Sequence, residues 1–201
     1  VKSYPSIPKG IGSEGVLHTF DKLDGSNLRF EWTKKRGWFK FGTRKRLFDV
    51  TDPVFGEAIP LFHERLADPL EEIIVTQGWS KVVVFAEFWG ARSFAGLHEP
   101  DDPKFLTVID VSPHQKGILD PKEFVKLFGK YGPRYFGAVA WNQPYIALVK
   151  SGTITGISFE GVVGKAVRNK KMVMFKAKTQ AWIDKVKRKY DEQKAKEIIE
   201  S

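Results

Sequence analysis

The chain has 201 residues, no cysteine, and a net charge of +9 from 33 Lys and Arg against 24 Asp and Glu. With 42% hydrophobic and 13% aromatic residues it can bury a core, so disorder is excluded, and without cysteine so are disulfides, thiolate zinc sites and cysteine nucleophiles. The basic balance favours a polyanionic partner, and His18, His63, His98 and His114 show no metal-ligand spacing.

In chain order, the Pro-, Gly- and Ser-rich residues 1–15 predict an irregular arm with no apolar core of a signal peptide, followed by a strand over 16–20. Asp24-Gly25 reads as a tight hairpin turn leading into a strand with Leu28, Phe30 and Trp32 on one face. Strands over 27–33 and 38–43 flank Lys34-Lys35-Arg36-Gly37, with the glycine where a hairpin bulge needs it. Phe55, Ile59, Phe62, Leu66, Leu70 and Ile73 recur at helical steps between 53 and 78, and Asp68-Pro69 predicts a break into two helices. The run 81–89 is β-branched and aromatic, predicts a central strand buried on both faces, and is too short to span a bilayer. A strand over 105–111 and a helix from Asp120-Pro121 to about residue 130 follow. Residues 131–149 read as mixed strand and loop. Strands over 157–167 and 171–178 join at Arg168-Asn169-Lys170, and one charged helix over about 180–200 carries Trp182, Ile183, Val186 and Tyr190 on a stripe. One α+β domain over 1–201 in a cytoplasmic setting is the simplest expectation.

Four features of this pattern carry chemistry. In FDKLDGSNLRFEW, residues 20–32, Lys22 is either a surface lysine beside a hairpin or a nucleophile. A nucleophilic lysine attacks deprotonated, which needs nearby cations or a metal. Transfer of a nucleotide phosphate further needs cationic clamps and carboxylates for a divalent ion. Glu87 and Glu160 each stand inside an apolar run, where an unpaired charge is costly. Lys176 and Lys178 lie two apart on a strand, so they share a face, and two ammonium groups there call for an anion.

In that order, these motifs resemble the nucleotidyltransferase domain of the covalent-lysine superfamily of RNA ligases, DNA ligases and mRNA capping enzymes. Lys22-Leu23-Asp24-Gly25-Ser26-Asn27 resembles motif I, the residues around Glu87 motif III, LTVIDV with Ile109 and Asp110 motif IIIa, EGVVGK from Glu160 motif IV, and MFKAK motif V. Asn27 and the FKAK form look most like phage and bacterial ligases that seal RNA duplexes. The resemblance implies an ATP-grasp-like α+β fold of two antiparallel sheets flanked by helices, with the nucleotide in the groove between them. It implies lysyl-AMP on Lys22, with Lys176 and Lys178 clamping the phosphate and Asp24 orienting the loop. Gly25, Asn27, Arg44, Glu87, Ile109 and Glu160 would contact the nucleotide, with Arg46 second to Arg44. Glu160 and Glu87 would hold Mg²⁺ or Mn²⁺. The donor is ATP and the partner RNA ends, contacted by residues 34–36 and 44–46, Lys165, Arg168, Lys170 and Lys171; no membrane or protein partner is implied. A DNA ligase core and a binding module without turnover are the alternatives. Isoleucine stands where the family has an aromatic before Asp110, and the chain reads as a minimal catalytic module without an OB domain.

Overall fold

The computed structural model describes residues 3–200, an α+β arrangement of two antiparallel sheets with helices. Contacts divide these residues into two compact units, one comprising 3–4, 25–119 and 123–132, the other 5–24, 120–122 and 133–200. The first strand, β1 (Val16–Lys22), belongs to the second unit.

The first unit is built on β2 (Ser26–Thr33), β3 (Gly37–Thr43), β4 (Leu47–Phe48), β5 (Lys81–Gly90) and β6 (Lys104–Pro113), in the order β4-β3-β2-β5-β6. Alternation along β2 buries Leu28, Phe30 and Trp32 on one face. Phe30 stacks on Phe62 with ring centroids 4.0 Å apart, which seats the helical segment on that face. On the other face, Asn27 lies opposite Glu87 and Arg29 opposite Phe85. As expected, β5 is central and nearly continuous in its burial.

The helical segment runs as α1 (Ala58–Phe62), a π-helical stretch (His63–Ala67) and α2 (Asp68–Thr76). The expected break at Asp68-Pro69 is therefore absent. A proline lacks the N–H for its turn and clashes with the carbonyl four residues back. The widened π turn before Pro69 accommodates both, so the helix continues.

In the second unit the sheet runs β7-β1-β8-β9, with β7 (Tyr135–Ala140), β8 (Gly161–Arg168) and β9 (Lys171–Lys178). The helix α3 (Pro121–Phe128) precedes β7 in the chain, and Asp120 caps it by accepting from the Lys122 N–H at 2.9 Å. Asn169 and Lys170 take φ of 49° and 62° at the β8–β9 turn, the conformation of a tight hairpin. Leu17, Val162 and Ala177 form a core with Trp141 and with Ile146 and Val149 of α4 (Gln143–Ser151). The opposite face carries Phe20 and Lys22 of β1, in register with Val163 and Gly161 of β8 and thence with Lys176 and Lys178 of β9.

Three further expectations are corrected. Asp24-Gly25 is not a hairpin turn, because β1 pairs with β7 and β8 whereas β2 pairs with β3 and β5. Neither residue takes positive φ; glycine is needed at 25 because a Cβ there would lie 2.3 Å from the Phe88 carbonyl oxygen. Residues 131–149 contain β7 and the start of α4, which Asn142 caps by accepting from the Tyr145 N–H at 3.0 Å. The final helix is two, α5 (Gln180–Lys189) and α6 (Glu192–Glu200), because Tyr190 is extended and Asp191 caps the second by accepting from the Lys194 N–H. No helix among the described residues is long and apolar enough to cross a membrane.

Candidate active site

The second unit brings together Lys22, Asp24, Glu160, Lys176 and Lys178. Lys22 ends β1, and its Nζ lies 2.7 Å from Glu160 Oε1. Lys178 Nζ meets the same oxygen at 3.1 Å. Glu160 is 4% exposed, so its charge depends on these two ammonium groups, which answers why an acid stands in an apolar run.

Local structure explains this convergence. Thr179 follows β9 directly and caps α5: its hydroxyl accepts from the Trp182 N–H at 3.1 Å and donates to the Phe159 carbonyl at 2.6 Å. Its own N–H donates to the Glu160 carbonyl at 2.9 Å. One residue thus fixes the backbone of Glu160 and the start of α5. Gly161, opposite Lys178, has φ of 147°, and a Cβ there would lie 2.1 Å from the Ala177 carbonyl oxygen, so only glycine permits this approach of β8 to β9. On the other side, Ser158 donates its N–H to Asp21 Oδ1 and its hydroxyl to the Lys22 carbonyl, both at 2.7 Å. That ties the loop before Glu160 to the end of β1.

Trp182 closes the arrangement. Its indole N–H donates to Asp24 Oδ2 at 2.6 Å, and its ring lies 4.0 Å from Lys178 Nζ in a cation–π contact. Sequence reasoning placed this tryptophan only on an apolar stripe and missed its part in the site. Asp24, Trp182, Lys178, Glu160 and Lys22 form one continuous chain of polar contacts.

Lys176 is 1% exposed, and burial, then the charges of Lys178 and Lys22, lower its ammonium to about 7. Burial also lowers Lys178, against the opposing effect of Glu160. Both reach α6: Lys176 Nζ donates to the Glu200 carbonyl at 2.7 Å and Lys178 Nζ to the Ile198 carbonyl at 3.1 Å.

The remaining expected residues lie in the first unit. Gly25 directly precedes β2 and Asn27 lies within it, with its Nδ2 buried and without a hydrogen-bond partner among the described residues. Glu87 faces Asn27 across β2 and β5. Ile109 is the extra residue of a β-bulge between Val108 and Asp110, and it leaves Asp110 turned into the interior at 1% exposure. There Asp110 accepts from the hydroxyl of Tyr4, whose ring packs on Phe85 at 5.2 Å. Burial, then Asp110 and Glu87, raise the Tyr4 phenol well above its usual value, and Arg44 opposes them. Tyr4, Glu87, Arg44 and Asp110 are therefore electrostatic neighbours, and Tyr4 was not foreseen. Arg46 is engaged with Asp52.

Among the expected backbone-contacting cations, residues 34–36 and 44–46 with Arg168, Lys170 and Lys171 are exposed. Lys165 is not: it is 3% exposed with its Nζ 4.9 Å from the Phe20 ring centroid, because β8 turns it to the same face as Phe20. No group of three or more His, Asp or Glu among the described residues could hold a metal.

No protein-family model and no curated protein matches the sequence. Solved structures do match in fold. An archaeal ATP-dependent RNA ligase superposes with a TM-score of 0.65 at 17% identity over 92% of this chain and 50% of its own. Naegleria gruberi RNA ligase with PPi gives 0.62 at 15% identity over 90% of this chain and 59% of its own, and a mutant of that ligase with AMP and Mn gives 0.61 over the same shares. The chain thus has the fold found in these RNA ligases and spans about half the length of the proteins it matches.

Proposed function

We propose that the chain is the adenylation domain of an ATP-dependent RNA ligase, with Lys22 as the nucleophile. The observation that carries this reading is the convergence of Lys22, Glu160 and Lys178 on one carboxylate oxygen, with Lys176 beside them. Lys22 Nζ attacks the α-phosphorus of ATP, an N–P bond forms as the P–O bond to pyrophosphate breaks, and Glu160 Oε1 is within reach of the departing Nζ proton. Lys176 and Lys178 offset the charge that gathers on the α-phosphate oxygens. The adenylate then passes to a 5′-phosphate end, and a 3′-hydroxyl displaces AMP to seal the strand.

Asn27 Nδ2, a buried donor without a partner among the described residues, is suited to a ribose hydroxyl, with Glu87 opposite it for the ribose or metal. Glu160 would help to hold Mg²⁺ or Mn²⁺. Such an ion supplies positive charge at the phosphoryl oxygens when bound. Exposed Arg44 and the basic runs would make salt-dependent contacts to the RNA backbone.

Incubation with α-labelled ATP and Mg²⁺ followed by denaturing electrophoresis is expected to give a labelled band that Lys22→Ala abolishes. No band, or a band that survives in Lys22→Ala, overturns the reading. Nicked RNA and nicked DNA offered in parallel decide the acceptor.

A further inference from the structure

We propose that His98 is a positioning residue for the nucleotide sugar: it clamps Ser26 at the start of β2 and so holds the next residue, Asn27, in place for a ribose hydroxyl. This inference rests on the reading of Asn27 given above.

Asn27 is the second residue of β2, and the ends of strands fray unless something besides the ladder holds them. Its neighbour Ser26 stands opposite Phe88, so those two share a face, and alternation turns Asn27 to the other. On the Ser26 face lies His98, from the connection between β5 and β6. Its Nε2 is 2.9 Å from Ser26 Oγ and its Nδ1 is 3.3 Å from Ser93 Oγ. Ser93 Oγ in turn accepts from the Gly90 N–H at 2.8 Å. The imidazole also packs on Phe88 and Phe55, with ring centroids 4.9 and 6.2 Å away. Burial, then Lys104, lower it below the ordinary value of a histidine against the opposing effect of Asp102. The ring is therefore neutral near neutral pH, with one donor and one acceptor for the two hydroxyls.

The connection is shaped to deliver this ring. Phe94 and Leu97 exchange both backbone hydrogen bonds, at 3.2 and 3.0 Å, around a two-residue turn in which Ala95 and Gly96 have φ of 55° and 77°. A left-handed alanine is costly and persists only where its surroundings impose it. Here the turn lays Gly96 against the start of β2, where a Cβ on it would lie 3.7 Å from the Gly25 carbonyl oxygen, and brings His98 onto Ser26. The far end of the connection is tied as well. Asp102, 4% exposed, accepts from the Arg92 N–H at 2.7 Å, and only a glycine at 90 leaves room for its carboxylate.

The test compares binding of ATP, 2′-deoxy-ATP and 3′-deoxy-ATP by isothermal titration. The unaltered chain is expected to prefer ATP to at least one analogue, and His98→Ala to narrow that preference about tenfold. His98→Gln, which places an amide where Nε2 stood, should recover most of it, and His98→Asn, whose amide stands where Nδ1 was, should not. Asn27→Ala should abolish the preference, with nothing further lost when His98→Ala is added. A residue that only stabilised the fold would weaken ATP and its analogues alike. A preference that His98→Ala leaves unchanged therefore overturns the inference, as does its absence from the unaltered chain. Should His98→Ala fail to fold, Ser26→Ala removes the hydroxyl, keeps the ring and makes the same comparison. If His98→Ala narrows the preference but Lys22 takes no label from ATP in the unaltered chain, the adenylation reading falls and the role of His98 stands. If Lys22 takes label while the preference is unchanged in His98→Ala, the role of His98 falls and the adenylation reading stands.

Discussion

The indole N–H of Trp182 donates to Asp24 Oδ2 at 2.6 Å while its ring faces Lys178 Nζ at 4.0 Å. One side chain therefore holds the acid two residues after the proposed nucleophile and one of the proposed phosphate clamps. Trp182→Phe keeps an aromatic face for Lys178 but has no donor for Asp24. A hydrogen bond to a charged group contributes about 1.5–3 kcal/mol, so adenylation in Trp182→Phe is expected to fall about tenfold or more. Trp182→Leu loses both contacts and falls further. Equal rates in the two variants would show that the N–H bond alone matters, and an unchanged rate in both would remove Trp182 from the site.

Glu160→Gln tests the shared carboxylate. Glu160 favours the charged forms of Lys176 and Lys178, so its removal lowers both ammonium groups further. A lysine whose folded value lies below its unfolded value carries a cost of charging in the folded state. That cost is complete below the folded value and disappears as pH rises towards the unfolded value. Leaving the buried lysines without their acid costs on the order of 3 kcal/mol near pH 7. Urea unfolding is expected to show a gap between Glu160→Gln and the unaltered chain that narrows as pH rises through the folded values of the two lysines in the unaltered chain, about 7 for Lys176. A gap independent of pH contradicts this assignment of the charges.

The parts of this arrangement that were readable in the sequence are those with local periodicity. Leu28, Phe30 and Trp32 declare the buried face of β2, and Lys176 and Lys178 declare a shared face because strand side chains repeat every two residues. The caps of α4, Asn142 and the left-handed Gly152, were also present in the sequence but lay beside a run that alternates like a strand. The partner of β1 was not readable. Asp-Gly offers a local hairpin, but β1 pairs with β7 and β8, more than a hundred residues later, and pairing at such separation leaves no mark within either segment. The same holds for Trp182 and Asp24, 158 positions apart.

Tyr4→Phe addresses the first unit. The hydroxyl of Tyr4 reaches Asp110, which is 1% exposed, so its removal takes a donor from a buried carboxylate without changing the shape of the ring. The expected cost is about 1–3 kcal/mol of stability, read as a lower urea midpoint with an unchanged slope. Tyr4→Ala also gives up the ring packing on Phe85 and should cost more. If Tyr4→Phe matches the unaltered chain, the Tyr4–Asp110 bond does not contribute to stability.

Lys176 sets the pH dependence of anion binding. Its ammonium lies near pH 7 because burial and the neighbouring Lys178 and Lys22 disfavour its charge. Below about that pH it is a cation able to hold an anion; above it the ammonium is lost and the clamp rests on the other lysines. Sulfate, whose charge does not change over this range, is expected to bind more tightly at about pH 6 than at about pH 8.5, by up to about tenfold for one lost charge pair. Binding in turn favours the protonated form, so the apparent transition with sulfate present lies above that of the free chain. Lys176→Arg keeps its charge throughout, because a guanidinium does not deprotonate in this range, and it should flatten this component of the profile. Isothermal titration at the two pH values on both proteins makes the comparison. A profile equally steep in Lys176→Arg would assign the titration to another group and remove Lys176 as the pH-sensitive member of the clamp.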